Sequence, residues 1–90
     1  MSTKHLLVKG KVQGVFFRAT AKEVAEKIGV TGWVKNTDDG KVEVLAQGDL
    51  EALDQFEDWC RKGPSKARVD DFQKEETEAE RFAEFNVHRD

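Results

Sequence analysis

A chain of 90 residues with a net charge of −3 has room for one domain and one modest core. It holds no run of about 18 apolar residues, which excludes a membrane-spanning helix. Its single cysteine, Cys60, excludes an internal disulfide and a thiolate zinc site.

The charge is laid unevenly. Residues 1–48 sum to +3 and residues 49–90 to −6, so an anion site is expected in the first half. The opening MSTKHLLVKG has no apolar stretch long enough for a secretory signal, and a cytoplasmic location is expected.

In chain order, His5 to Val12 alternates, with Leu6, Val8 and Val12 on one face, and reads as a strand. Residues 13–17 are loop. From about Ala19 to Ile28 the apolar residues Ala21, Val24, Ala25 and Ile28 form one helical stripe, closed by Gly29. Thr20 with Glu23 suggests a capping box; a start near Phe17 is the alternative. Val30 to Asn36 is a second strand, TDDG (37–40) a hairpin turn, and Lys41 to Gln47 a third strand. Asp49 is the expected N-cap of a second helix with Leu50, Leu53, Phe56 and Cys60 inward, stopped by Lys62-Gly63-Pro64-Ser65. Cys60 on that stripe reads as a packed thiol rather than a reactive one. Ala67–Phe72 and Phe82–Val87 are two further β-like runs, and the acidic EETEAE (75–80) is expected to be a solvated loop.

The order is β-α-β-β-α-β with one extra strand. It predicts an α+β, ferredoxin-like split βαβ sandwich in a single domain over 1–90. An antiparallel sheet of four to five strands would carry two helices on one face. That arrangement fixes no function by itself.

The stretch GKVQGVFFR (10–18) breaks local rules together. A helix N-terminus already carries unpaired N–H groups and the positive end of the dipole, and Arg18 adds a cation there. Gly14 lets the backbone turn and aim more N–H groups into the same space. A tetrahedral oxyanion would resolve the conflict, with backbone donors around it and a guanidinium forking onto two oxygens. The plainer reading makes Gly10 and Gly14 a strand exit and pairs Arg18 with Glu23 or another carboxylate. Neither a Walker loop nor GxGxxG is present.

Asn36, before the hairpin, is either a turn residue or an amide placed to orient a water. No Ser-His-Asp set, nucleophilic cysteine or metal-ligand spacing occurs, and His5 and His88 sit apart as surface residues. An enzyme here would run chemistry that needs little acid–base help.

VKGKVQGVFFR (8–18) and GWVKNTDDGKVEVLAQG (32–48) together resemble the two signature stretches of the acylphosphatases. No motif position departs from the pattern; from about residue 62 onward the match is one of pattern only. The resemblance implies hydrolysis of the carboxyl–phosphate bond of an acylphosphate to a carboxylate and inorganic phosphate. It implies that the backbone of Gln13, Gly14, Val15, Phe16, Phe17 and Arg18 cradles the phosphoryl group. Arg18 would bind its oxygens and Asn36 would orient the attacking water, with no metal, cofactor or phosphoenzyme. Phosphate would be product and inhibitor. The chemistry agrees, because a carboxylate of pKa about 4 departs without a general acid and positioning plus oxyanion stabilisation serve a loose transition state. Trp33 is expected to pack, and Gln13 to hold the loop or touch substrate.

Two other functions fit the element order. A nucleic-acid module shares the element order, but Lys41–Gln47 carries no aromatic residue for stacking and the net charge is negative. A non-catalytic anion-binding or regulatory domain of acylphosphatase shape is the other; such domains occur within larger maturation enzymes. The short chain favours a free-standing enzyme, and the presence of both Arg18 and Asn36 argues against a dead domain. An acidic small domain with no conspicuous apolar surface run suggests a monomer, and no nucleic-acid or membrane partner is expected. The acyl group of the substrate is left open.

Overall fold

The computed structural model describes residues 1–89; Asp90, the last residue of the expected domain, lies outside the described residues. The elements are β1 (Ser2–Lys11), α1 (Phe17–Ile28), β2 (Thr31–Asn36), β3 (Val42–Gly48), α2 (Leu50–Lys62), β4 (Arg68–Thr77) and β5 (Phe85–His88). The sheet order is β4-β1-β3-β2-β5. Three antiparallel pairings join β4, β1, β3 and β2 into the expected ferredoxin-like sheet, and β5 extends it by running parallel to β2.

Alternation explains which face the helices cover. Leu6 and Val8 of β1, Val34 of β2, Val42, Val44 and Ala46 of β3, and Phe85 of β5 point to one side and are buried. Phe17, Ala21 and Ala25 of α1 and Leu53, Phe56 and Cys60 of α2 meet them, the stripes the 3.6-residue period predicts. Phe56 sits at the junction, edge-on to Phe85 at 5.5 Å and stacked with Trp59 at 6.3 Å. The opposite face of the sheet carries no helix.

Four local expectations change. First, of the two starts left open for α1 the one at Phe17 holds, and the Thr20–Glu23 capping box does not form. Thr20 lies inside the first turn, with its N–H already committed to the Phe16 carbonyl at 3.0 Å. Second, Asp49 occupies the N-cap of α2, but its side chain makes no capping bond; its carbonyl receives the Leu53 N–H at 2.9 Å. Third, Glu75 and Glu76 are not loop. The early part of β1 is long enough to pair with them, so β4 runs on to Thr77 as a charged edge strand. Charge on an edge strand discourages a further strand from adding to it. Fourth, only Phe85–His88 of the last run is strand. The Phe82 N–H is taken by the Gln47 side-chain oxygen at 2.9 Å instead.

Gly10 is where β1 parts from regular pairing. The register to β4 shifts between Lys9 and Gly10, and a Cβ at Gly10 would collide with the Arg68 carbonyl. Only glycine permits that approach at a φ of 134°. The bend aims the following loop across the end of the sheet.

Candidate active site

The loop after β1 is anchored by alternate residues. Val12, Val15 and Phe17 are buried in the core, while Gly14 and Phe16 face out. Gly14 has φ 73° with open space around it, so its role is conformational rather than steric. Phe16 has φ 65° and ψ 24°, in the left-handed region, and is the residue from which α1 departs. A left-handed residue followed by a right-handed turn gathers successive N–H groups on one concave side. The N–H groups of Gly14 to Ala19 have no acceptor among the described residues. The loop and the first turn of α1 thus present a set of unspent donors.

Arg18 lies one residue into the helix. Its Nη1 donates to the His88 carbonyl at 3.5 Å, a long bond that steadies the guanidinium without neutralising it. No carboxylate pairs with it among the described residues, so the Arg18–Glu23 pair considered from the sequence does not form. Asn36 ends β2 on the helix side, in the alternation of Gly32 and Val34, and its register partner is Val42. Its amide makes no hydrogen bond among the described residues.

These groups share one cleft of about 790 Å³, walled by Gly14, Phe16, Arg18, Asn36, Asn86 and Arg89 among others. Phe17 reaches the same cleft from its floor. The side chains of Gln13 and Val15 do not line it. Val15 is buried, and Gln13 points to the β2–β3 hairpin, where its Nε2 donates to the carbonyls of Thr37 and Lys41, each at 2.9 Å. Sequence reasoning had no means of finding Asn86, Arg89 or Lys22 in this cleft. They carry no motif; β5 beside α1 brings Asn86 and Arg89 there, while Lys22 arrives one helical turn after Arg18 on α1 itself.

A second hollow, of about 780 Å³, lies by Thr3, Gln47 and Thr77. Its central amide is spent on structure: Gln47 Nε2 donates to Thr3 Oγ1 and to the Glu80 carbonyl, both at 3.1 Å. The cleft at the loop, with its free donors and Arg18, is therefore the candidate site.

Cys60, His5 and Glu43 lie outside the cleft lining. The Cys60 thiol is fully buried, and burial pushes its pKa up, so it stays protonated. His5 Nε2 lies 2.6 Å from Glu43 on the helix-free face. Burial alone would raise the Glu43 carboxyl, but the bond from His5 and the charge of Lys35 hold it below the usual range. Trp33 packs on that face too, stacked on His88 at 5.3 Å with the Lys35 ammonium over its ring. No group of three or more candidate metal ligands occurs among the described residues.

Known proteins resemble this chain along nearly its whole length. The family model described as Acylphosphatase matches residues 4–87. An acylphosphatase of Methylococcus capsulatus is 47% identical over 91 residues, covering 100% of this chain and 99% of the relative. Among solved structures, the acylphosphatase of Bacillus subtilis superposes with a TM-score of 0.95 at 37% identity, covering 99% of this chain and 100% of that one. The acylphosphatase of Coxiella burnetii gives 0.92 at 39%, covering 97% and 92%.

Proposed function

The chain belongs to the acylphosphatase family and hydrolyses acylphosphates to a carboxylate and inorganic phosphate, and from that premise we propose how its residues do so. The phosphoryl group sits in the loop, its oxygens taking the N–H groups of Gly14 to Arg18. Val15 contributes its backbone only. The Arg18 guanidinium forks onto two of the oxygens. The Asn36 amide accepts from a water and holds it in line with the scissile bond. Water attacks phosphorus, the bond from phosphorus to the acyl oxygen breaks, and its electron pair leaves on the carboxylate. The proton of the water passes to a phosphoryl oxygen of the substrate itself. Charge builds on the equatorial oxygens in a loose transition state, where the fixed donors of the loop act.

The observation that carries this reading is the set of unspent N–H groups at Gly14–Ala19, in one cleft with an unpaired Arg18 and an unbonded Asn36. No acid–base residue is needed, because the leaving group is a weak base. The reading needs no metal or cofactor, and inorganic phosphate, as product, competes for the loop. We further infer one domain over 1–90, a monomer of the cytoplasm with no nucleic-acid partner. No helix among the described residues is long and apolar enough to cross a membrane.

Hydrolysis of benzoyl phosphate, followed by ultraviolet absorbance with EDTA present, tests the reading. Arg18→Ala is expected to lose activity and phosphate inhibition together. Asn36→Ala is expected to lower kcat by about 10²-fold or more with phosphate inhibition retained. Loss of phosphate binding in Asn36→Ala would refute its role in placing the water.

A further inference from the structure

The two halves of the cleft come from distant parts of the chain, and little holds them in register. β1 and β3 pair from Ser2–Gly48 to Val8–Val42 and no further. Beyond Val8, β1 follows β4 alone, through the shift at Lys9/Gly10. The phosphate loop and the hairpin bearing Asn36 therefore leave the sheet on diverging paths. Between residues 9–18 and residues 36–41, the hydrogen bonds among the described residues are two, and both come from Gln13 Nε2.

The geometry of that amide is specific. Its two N–H groups go to the Thr37 and Lys41 carbonyls, each at 2.9 Å. Both partners are acceptors only, so the amide can face them only with its nitrogen. The same two residues close the hairpin: Thr37 N–H donates to the Lys41 carbonyl at 2.9 Å, and Lys41 N–H to Thr37 Oγ1 at 2.9 Å. Gln13 thus grips the closed end of a rigid turn whose next residue back is Asn36. Its neighbour on the other side, Gly14, begins the row of unspent N–H groups.

We propose that Gln13 is a positioning residue that sets the distance between the phosphate cradle and Asn36. It spends its side chain across the site and does not touch substrate. Phosphate binding is built within the loop and α1, so it survives loss of the clamp; the placement of the water relative to phosphorus does not. Each carbonyl keeps another donor, Gly40 N–H for Thr37 and Thr37 N–H for Lys41, so the fold also survives.

The inference rests on the roles of the loop and Asn36 given above, and its test separates the two. Gln13→Met keeps the shape and removes both donors. Its kcat on benzoyl phosphate is expected to fall about 10- to 100-fold, the scale of a 1 Å misplacement. The inhibition constant of inorganic phosphate is expected to move by less than about threefold, since ground-state binding is left intact. Gln13→Glu turns a carboxylate toward two carbonyls; protonated, it donates once. Its activity relative to wild type should recover as pH falls, while that of Gln13→Met should not. By NMR, the Asn36 side-chain amide of the wild type should shift on titration with inorganic phosphate, and the shift should shrink in Gln13→Met.

A kcat within twofold of wild type, a phosphate affinity that falls in step with kcat, or loss of the native circular dichroism spectrum in both variants would overturn the proposal. Should the wild type fail to hydrolyse benzoyl phosphate, the catalytic reading fails. The NMR comparison still decides the clamp, because an equal Asn36 shift in both proteins sinks it.

Discussion

Phe16 is the one non-glycine residue with a positive φ among the described residues, and its side chain is 73% exposed. A bulky L residue in the left-handed region costs about 1–2 kcal/mol, and little burial offsets it here. Its place is the point where the loop turns into α1 and the N–H groups converge, a position where strain serves binding. Phe16→Gly is therefore expected to raise stability by about 1 kcal/mol in urea unfolding. Activity on benzoyl phosphate should not rise with it, because a more mobile loop holds its donors less firmly. A lower urea midpoint would show that contacts of the ring outweigh the strain. Arg18 and Asn36 stand out as candidates from the chain alone, since a cation at a helix start and an amide before a turn are visible there. The start of α1 stayed open between Phe17 and Thr20, because a left-handed phenylalanine is no recognised cap and Thr20 imitated one.

At the scale of elements, α2 is tied to the sheet by Glu57. Its carboxylate, 8% exposed, meets Lys4 of β1 at 3.2 Å, Lys74 of β4 at 3.0 Å and Arg61 of its own helix at 3.2 Å. Burial alone would raise the Glu57 carboxyl, but the bonds from Lys74, Lys4 and Arg61 hold it below the usual carboxylate range. Burial would likewise lower Lys4, yet Glu57 and Asp54 raise it above its usual value. The signs follow by linkage. Glu57 contributes stability that is complete above the unfolded carboxyl range and is lost as pH falls through its depressed folded value. Lys4 contributes stability that is complete below its unfolded pKa and is lost as pH rises through its raised folded value. Denaturant midpoints should hold level across neutral pH and fall at both extremes. Glu57→Gln should flatten the acid limb and cost about 1–3 kcal/mol near neutrality, since three cations lose a shared carboxylate and Lys4 keeps only the exposed Asp54 at 3.4 Å. An acid limb unchanged in Glu57→Gln would assign it to other carboxylates. No pattern in the sequence singles Glu57 out from the other charges of α2. Its three partners lie on three elements, and only their packing reveals it.

For the molecule as a whole, one layer of helices on one face of the sheet means one core, with Phe56 completely buried at its centre. Phe56→Ala is expected to cost about 3–5 kcal/mol. That is a large share of the roughly 5–15 kcal/mol available to a domain. Activity at low temperature should persist while the thermal midpoint falls sharply. A small shift in midpoint would mean the core closes around the gap. The neighbours of β1 are β3 and β4, both far along the chain, so folding waits on non-local pairing, and refolding in milliseconds to seconds is expected. The site lies at the end of this sheet, where β1 turns into α1 and β2 turns toward β3. It forms only once those strands have paired.

The sequence by itself determined the element order, the buried stripes, the two signature stretches, and Arg18 and Asn36 as the pair to examine. These are local patterns, in which periodicity and residue chemistry act within a few positions. Tertiary structure alone decided that β4 runs on through Glu75 and Glu76, that β5 lies parallel to β2 beside the Arg18 guanidinium, and that Gln13 reaches across to the hairpin. Each depends on which distant backbone supplies the partner for a donor or an acceptor. A chain read one neighbourhood at a time holds no record of that partner until the strands are laid side by side.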